Sequence, residues 1–419
     1  MYCLLEPDFC GKTILVVLEP SISHYTGTLD ISFFGSNKIK SVKNIFQITN
    51  QTAIDALIEQ GREFRSIYKI TLHEDSKAGV LSVINDIKKI KGVEVAIPDY
   101  IGFVTTAVIP NDPHWDHFGL WPLRNPVGIK ATESWNLTTG SRKINVGVID
   151  TGIGGPNIFT PNDGHDDLNY SLEPGWNFAD DSPFNTFDSC YFSDTSHGHG
   201  TKTAGIIGAK GNNSLGTVGV NWEVGIVPLK ISNDPDSGAH HSLMTEAIEY
   251  ATRFWGIRGQ ISILNLSYSG YGWTSGVHAA INNFPGLMVW SAGNEGLDTD
   301  LMEYIDLYDL ENLIVVGAND SLDNRSIWES GGSSNWSSSG ENVHIFAPGS
   351  DGFTTSSDGL YEFFDGTSMS APHVAGVAAL MLSLNPYLAP SDIKSIIVDT
   401  GTEILIEVPG YPFEQYVKK

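Results

Sequence analysis

Ser368 stands in the run Gly366-Thr367-Ser368-Met369-Ser370-Ala371-Pro372-His373-Val374, at the head of an apolar stretch that continues to Leu384. A serine hydroxyl is a weak nucleophile until a base takes its proton. Two other segments hold groups that would activate it. Val146 to Asp150 is an apolar run ending in a carboxylate, and His199-Gly200-Thr201 opens a second helix-like stretch. An imidazole can accept the hydroxyl proton and later hand it to a leaving amine. A carboxylate bonded to that imidazole would hold its tautomer and stabilise the imidazolium. Taken singly, Asp150 reads equally well as a loop carboxylate and Ser368 as a helix cap. Taken together, in the order Asp, His, Ser and flanked by glycines, they are the parts of one nucleophilic hydrolase site.

The elements between these segments are the kind that would position them. Strands are expected at Ile144–Ile149, Gly225–Ile231, Ile261–Leu266, Leu287–Ser291, Leu313–Gly317 and Val343–Ala347. Helices are expected at Gly200–Ala209, Ser242–Phe254, Gly276–Phe284 and Ser368–Leu384. Short, nearly continuous apolar strands alternating with helices imply an α/β fold: a mostly parallel buried sheet with helices on both faces, in three layers. Such sheets place ligands at the carboxyl ends of their strands. Asp150, Ser267 and Asn294 all fall at or just beyond such ends.

The first 107 residues read differently. Strands at Thr13–Glu19, Ile39–Ile48, Ser66–His73 and Val93–Ile97 surround helices at Thr52–Gln60 and Ser76–Lys89. Val80, Val83, Ile84 and Ile87 form one face of the second helix, with Ser76 as its cap. This is a small α+β unit. Tyr100 to Pro113, with Pro110 and Pro113 and no periodicity, reads as a linker. The expected division is 1–107 and 108–419.

Charge divides the chain at the same place. Residues 1–107 hold 11 Lys or Arg against 12 Asp or Glu; the remaining 312 hold 13 against 37. Nearly all of the net charge of -25 therefore lies in the larger part. A chain this acidic is a poor partner for nucleic acid. Cys3, Cys10 and Cys190 are too few for a disulfide framework and lie apart from the candidate site. No run of 18 apolar residues suggests a membrane span. Met1 to Gly11 lacks the basic region and apolar core of a signal peptide.

The serine run resembles the signature of the subtilisin-like serine peptidases, the subtilases. Val148-Ile149-Asp150-Thr151-Gly152-Ile153 is similar to the aspartate motif of that family. His199-Gly200-Thr201-Lys202-Thr203-Ala204-Gly205 is similar to its histidine motif, with Lys202 and Thr203 in place of the usual His and Val. Of His197 and His199, only His199 is followed by Gly-Thr, so it takes the role. The resemblance implies a serine endopeptidase with Asp150, His199 and Ser368 catalytic and Asn294, in Ser291-Ala292-Gly293-Asn294-Glu295-Gly296, as oxyanion donor. It also implies that Ser267-Tyr268-Ser269 pairs with the substrate backbone, although the family pattern there is Ser-Leu-Gly. Gly293 and Glu295 would line the opposite wall of the cleft.

The resemblance further implies a Ca²⁺ site. Asn213 would give a side-chain oxygen, Gly211, Leu215 and Thr217 backbone carbonyls, and Asp167 and Asp112 carboxylates, a hard oxygen set that suits the ion. It implies that residues 1–107 are a ferredoxin-like propeptide, made in a zymogen and acting as an intramolecular inhibitor. Substrates would be proteins or peptides, with neither nucleic acid nor membrane as partner. The family suggests a secreted or cell-surface enzyme, while the start of the chain leaves a cytoplasmic one open. Two rivals stand beside this reading. A peptide-binding protein without catalysis would not need all four of Asp150, His199, Ser368 and Asn294. An esterase of the Gly-x-Ser-x-Gly type would carry its groups in the order Ser, Asp, His.

Overall fold

A computed structural model describes residues 9–19, 29–46, 66–100, 108–124, 127–154, 164–170, 175–183, 194, 198–233, 238–256, 260–268, 275–299, 310–330, 333–406 and 415–419. The chain divides into two compact units, Met1–Val104 and Thr105–Lys419.

In the smaller unit, β1 (Phe9–Leu18), α1 (Ile31–Phe34), β2 (Ile39–Phe46), β3 (Ile67–Leu72), α2 (Lys77–Ile87) and β4 (Val93–Tyr100) follow in order. The sheet runs β2-β3-β1-β4 and every pair is antiparallel. That is a ferredoxin-like arrangement. Alternation writes it: Ile14, Val16 and Leu18 point into one core, as do Tyr68, Ile70 and Leu72. The Ser76 hydroxyl accepts from Gly79 N at 3.2 Å and starts α2. Val80, Val83, Ile84 and Ile87 are all buried beneath that helix, each contributing roughly 1.5–3 kcal/mol. The helix expected at Thr52–Gln60 lies outside the described residues.

The larger unit is built on one sheet. Its strands are β5 (Gly140–Asp150), β6 (Glu223–Lys230), β7 (Ile261–Leu266), β8 (Leu287–Ser291), β9 (Leu313–Asn319) and β10 (Ile345–Pro348). The order is β10-β9-β8-β7-β5-β6, followed by the two-residue strands Trp176–Asn177 and Ser182–Pro183. Seven of these strands are parallel and only the last pair is antiparallel. Helices α3 (His199–Gly208), α4 (His241–Arg253), α5 (Ser275–Asn283), α6 (Thr367–Leu384) and α7 (Pro390–Thr400) surround it.

The strands send residues to both faces. Val146 and Val148 join Ile207, Ala375 and Ala379 in one core. Ile149 and Leu229 join Met244, Ile248 and Ile281 in the other. Three layers result, with α3 and α6 on one side and α4 and α5 on the other. By length and composition α6 is apolar enough to cross a bilayer, but 78% of it is buried inside the unit. It is the helix that sets Ser368 against the sheet. A hairpin, β11 (Gly352–Thr355) with β12 (Tyr361–Phe364), precedes it.

Candidate active site

Asp150 ends β5 and is fully buried. His199 is the first residue of α3, after Gly198 in the left-handed region at φ 60°. The His199 Nδ1–H donates to Asp150 Oδ1 at 2.8 Å. Thr151 N donates to the same oxygen at 2.7 Å. A Cβ on Gly200 would lie 2.0 Å from the Gly152 carbonyl oxygen, so only glycine lets α3 approach the loop after β5 this closely. The rings of Phe364 and Tyr268 flank the imidazole at 5.3 and 6.1 Å between centroids. Burial pushes the His199 pKa down, but the charge and hydrogen bond of Asp150, with Asp194 behind it, more than offset this and hold it above the ordinary value.

Ser368 is the second residue of α6 and is 8% exposed. Its hydroxyl donates to the Ser267 carbonyl at 3.0 Å; no hydrogen bond joins it to His199 among the described residues. Pro372 explains part of the local architecture. It has no N–H to give the carbonyl four residues back, which is that of Ser368. The Ser267 hydroxyl takes that place, donating to Ser368 O at 3.1 Å, and itself accepts from the buried Asn265 Nδ2 at 2.9 Å. The end of β7 and the start of α6 are thereby locked together.

Asn294 follows β8. Its Oδ1 accepts from Thr367 N at 2.9 Å and Thr367 Oγ1 at 2.8 Å, which leaves Nδ2 as the donor for another acceptor. Gly366, at φ 109°, brings the backbone close enough that a Cβ there would lie 3.1 Å from that Nδ2. Gly293 is buried and its N–H donates to Thr367 Oγ1 at 3.2 Å. Asn294 is thus tied to the residue just before Ser368.

The remaining cleft residues are less uniform. Ser267 is buried at the end of β7. The Tyr268 carbonyl accepts from Trp290 Nε1 at 2.6 Å, which ties it to β8. Ser269 lies outside the described residues. Glu295 is exposed and bridges to Trp336. Lys202, the departure in the histidine motif, pairs with Glu362 of β12 at 3.1 Å.

The residues proposed for calcium do come together. Asp112 and Asp167 are both buried. Asn212 N and Asn213 N donate to Asp112 at 2.7 and 3.2 Å. Asn213 Nδ2 and Thr217 N donate to the two oxygens of Asp167 at 2.7 and 3.1 Å. Gly211 and Leu215 lie in the same loop, and Leu215 N donates to Asn213 Oδ1 at 2.8 Å. Burial raises the Asp167 carboxyl to about 6, with the charge of Asp112 adding to it, and burial raises Asp112 as well. Two buried carboxylates are the part of this set that a hard cation would suit, while the 211–217 loop turns N–H groups toward them and the Asn213 oxygen toward Leu215 N.

Sequence reasoning passed over two residues here. Tyr361 of β12 donates its hydroxyl to Asp167 Oδ2 at 3.2 Å. Asp194 accepts from Thr151 and Thr201 on either side of the Asp150–His199 pair. It stands five positions before His199, but neither contact has a periodic signal, because both depend on tertiary placement.

The sequence profile of the subtilase family matches residues 141–414. Thermitase of Thermoactinomyces vulgaris is 30% identical over 70% of this chain and 92% of its own length. An intracellular serine protease of Paenibacillus polymyxa is 34% identical over 61% of this chain and 71% of its own. Among solved structures, a protease of Pseudoalteromonas arctica is 26% identical with a TM-score of 0.56, over 70% of this chain and 93% of that one. Fervidolysin of Fervidobacterium pennivorans shares the fold over 99% of this chain and 60% of its own, with a TM-score of 0.54 and 22% identity. On the sheet, the hydrogen-bonded histidine–carboxylate pair and these matches together, the chain belongs to the subtilase family and is a subtilisin-like serine endopeptidase.

Proposed function

We propose that Asp150, His199 and Ser368 form the catalytic triad and that peptide bonds are cut through an acyl-enzyme. The observation that carries this reading is the 2.8 Å bond from His199 Nδ1 to Asp150 Oδ1, which leaves Nε2 as the basic atom. In this reading the Ser368 hydroxyl leaves the Ser267 carbonyl, to which it donates at 3.0 Å, and turns to that nitrogen. Catalytic hydrogen bonds often tighten only once substrate is bound. His199 then takes the hydroxyl proton as Oγ bonds to the scissile carbonyl carbon. Asn294 Nδ2 and the Ser368 N–H receive the oxyanion, aided by the positive end of α6. His199 passes its proton to the leaving amine as the C–N bond breaks. Water, deprotonated by the same imidazole, releases the acyl group and restores Oγ–H. Asp150→Asn tests this most simply: the wrong imidazole tautomer should lower kcat by about 10⁴. Activity near wild type in that variant would remove Asp150 from the triad.

The same reading assigns Ca²⁺ to Asp112, Asp167, Asn213 and the carbonyls of Gly211, Leu215 and Thr217. When bound, the ion supplies charge neutralisation and cross-links separated segments. Its supports are the two buried carboxylates and the convergence of the 211–217 loop on them. Residues 1–107 are assigned as the propeptide of a zymogen, on their ferredoxin-like order and their balanced charge. A secreted enzyme is the companion proposal. The relatives include both an extracellular basic protease of Dichelobacter nodosus and the intracellular P. polymyxa protease, so fractionation of a native culture decides it.

A further inference from the structure

Asp150 and His199 are bracketed by a second carboxylate that the proposed triad does not use. Asp194 Oδ1 accepts from Thr151 Oγ1 at 2.5 Å. Its Oδ2 accepts from Thr201 N at 2.8 Å and from Thr201 Oγ1 at 2.6 Å. Thr151 is the residue after Asp150, and Thr201 sits in the first turn of α3, two residues after His199. Both threonines are fully buried. The Thr151 hydroxyl also accepts from Gly200 N at 3.0 Å, and the Thr201 hydroxyl accepts from Gly154 N at 2.8 Å. A closed circuit therefore runs from Asp150 through Thr151, Asp194 and Thr201 to His199. Without the carboxylate, three donors lose their acceptor.

We propose that Asp194 is a positioning residue for His199. It ties the loop after β5 to the first turn of α3, fixes the spacing of the Asp150–His199 pair, and places a second negative charge behind the imidazolium that forms during catalysis. The proposal rests on the triad reading above.

The charges around the site agree with this role. His199 faces Asp150 on β5, Asp194, Lys202 on its own helix and, through Lys202, Glu362 on β12. The phenol of Tyr268 lies on its remaining side. Asp150 and Asp194 favour the imidazolium and Lys202 opposes it. Asp194 in turn faces Asp150, Lys230 at the end of β6 and Tyr170. Removing its charge should therefore move the titration of His199 to lower pH, whereas greater exposure of the imidazole alone would move it to higher pH, since burial lowers its pKa.

Asp194→Asn keeps the shape, removes the charge and leaves one acceptor oxygen where two served. The full chain is assayed for peptide hydrolysis across pH, and His199 is titrated by NMR in wild type and variant. We expect kcat to fall about tenfold with KM changed by less than about twofold, within what misplacement of a catalytic group costs. The acid limb of kcat/KM and the His199 titration should both move to lower pH. An unmoved His199 titration overturns the proposal, whatever happens to stability. If wild type has no peptidase activity, the triad reading fails, yet the NMR titration still decides the role of Asp194. If Asp194→Asn does not fold, Thr151→Val breaks the same circuit; an unchanged kcat there overturns it too.

Discussion

Asn294→Ala separates two things that one side chain does in this structure. Its Oδ1 accepts two bonds from the buried Thr367, while its Nδ2 is the proposed oxyanion donor. Truncation removes both. Loss of the donor should cost about 2.7–4 kcal/mol in the transition state, a fall in kcat of roughly 100- to 1000-fold. Loss of the acceptor leaves the Thr367 N–H and hydroxyl unmatched, at about 1–3 kcal/mol of folding stability. Asn294→Asp pulls the two apart, since it keeps an acceptor for Thr367 and has no N–H to give. Kinetics with an amide substrate and a thermal melt, run on both variants, give kcat, KM and a melting temperature for each. We expect kcat to fall in both, KM to change little, and the melting temperature to fall mainly in the alanine variant. A wild-type kcat in Asn294→Asp, or a loss carried wholly by KM, would refute the oxyanion assignment.

Three further outcomes follow from the same structure. The acid limb of kcat/KM should lie above the ordinary histidine value of 6.5, because the raised His199 pKa keeps the base protonated to higher pH; a limb below it would contradict the Asp150 contact. An ion that binds only the folded state stabilises it by mass action, so chelation with EDTA should lower the melting temperature and Asp167→Ala should abolish most of that response. A melt unchanged by EDTA, in protein proven metal-free by elemental analysis, counts against the calcium site. Purified 1–107 should inhibit the mature enzyme, less so as peptide substrate is raised; no inhibition at micromolar concentration leaves that unit as an accessory domain.

Much of the frame was legible because its signals are local. Ile261–Leu266 and Leu287–Ser291 are mostly apolar and buried at every position, as strands covered on both faces must be, and their ends fall where expected. Ser76 and the spacing of Val80, Val83, Ile84 and Ile87 mark α2 for the same reason. The hairpin Gly352–Thr355 with Tyr361–Phe364 was not anticipated. Its strands are four residues each, and Phe363 is exposed while Phe364 is buried against His199, so it carries little alternation to read. Helix α7 begins at Pro390 with Asp392 in its first turn and buries only Ile393 and Ile397, a thin apolar stripe. The Tyr268 carbonyl taken by Trp290 and the circuit through Asp194 are contacts between distant segments. No spacing along the chain encodes them.

The central claim is that Ser368 is an activated nucleophile. Labelling with a fluorophosphonate, followed by mass spectrometry of the digested protein, tests it without reference to any natural substrate. The account predicts one stoichiometric adduct on the peptide that carries Ser368 in wild type, and none in Ser368→Ala that remains folded by its melting curve. No adduct on active wild-type protein, or equal labelling of the folded alanine variant, would contradict it.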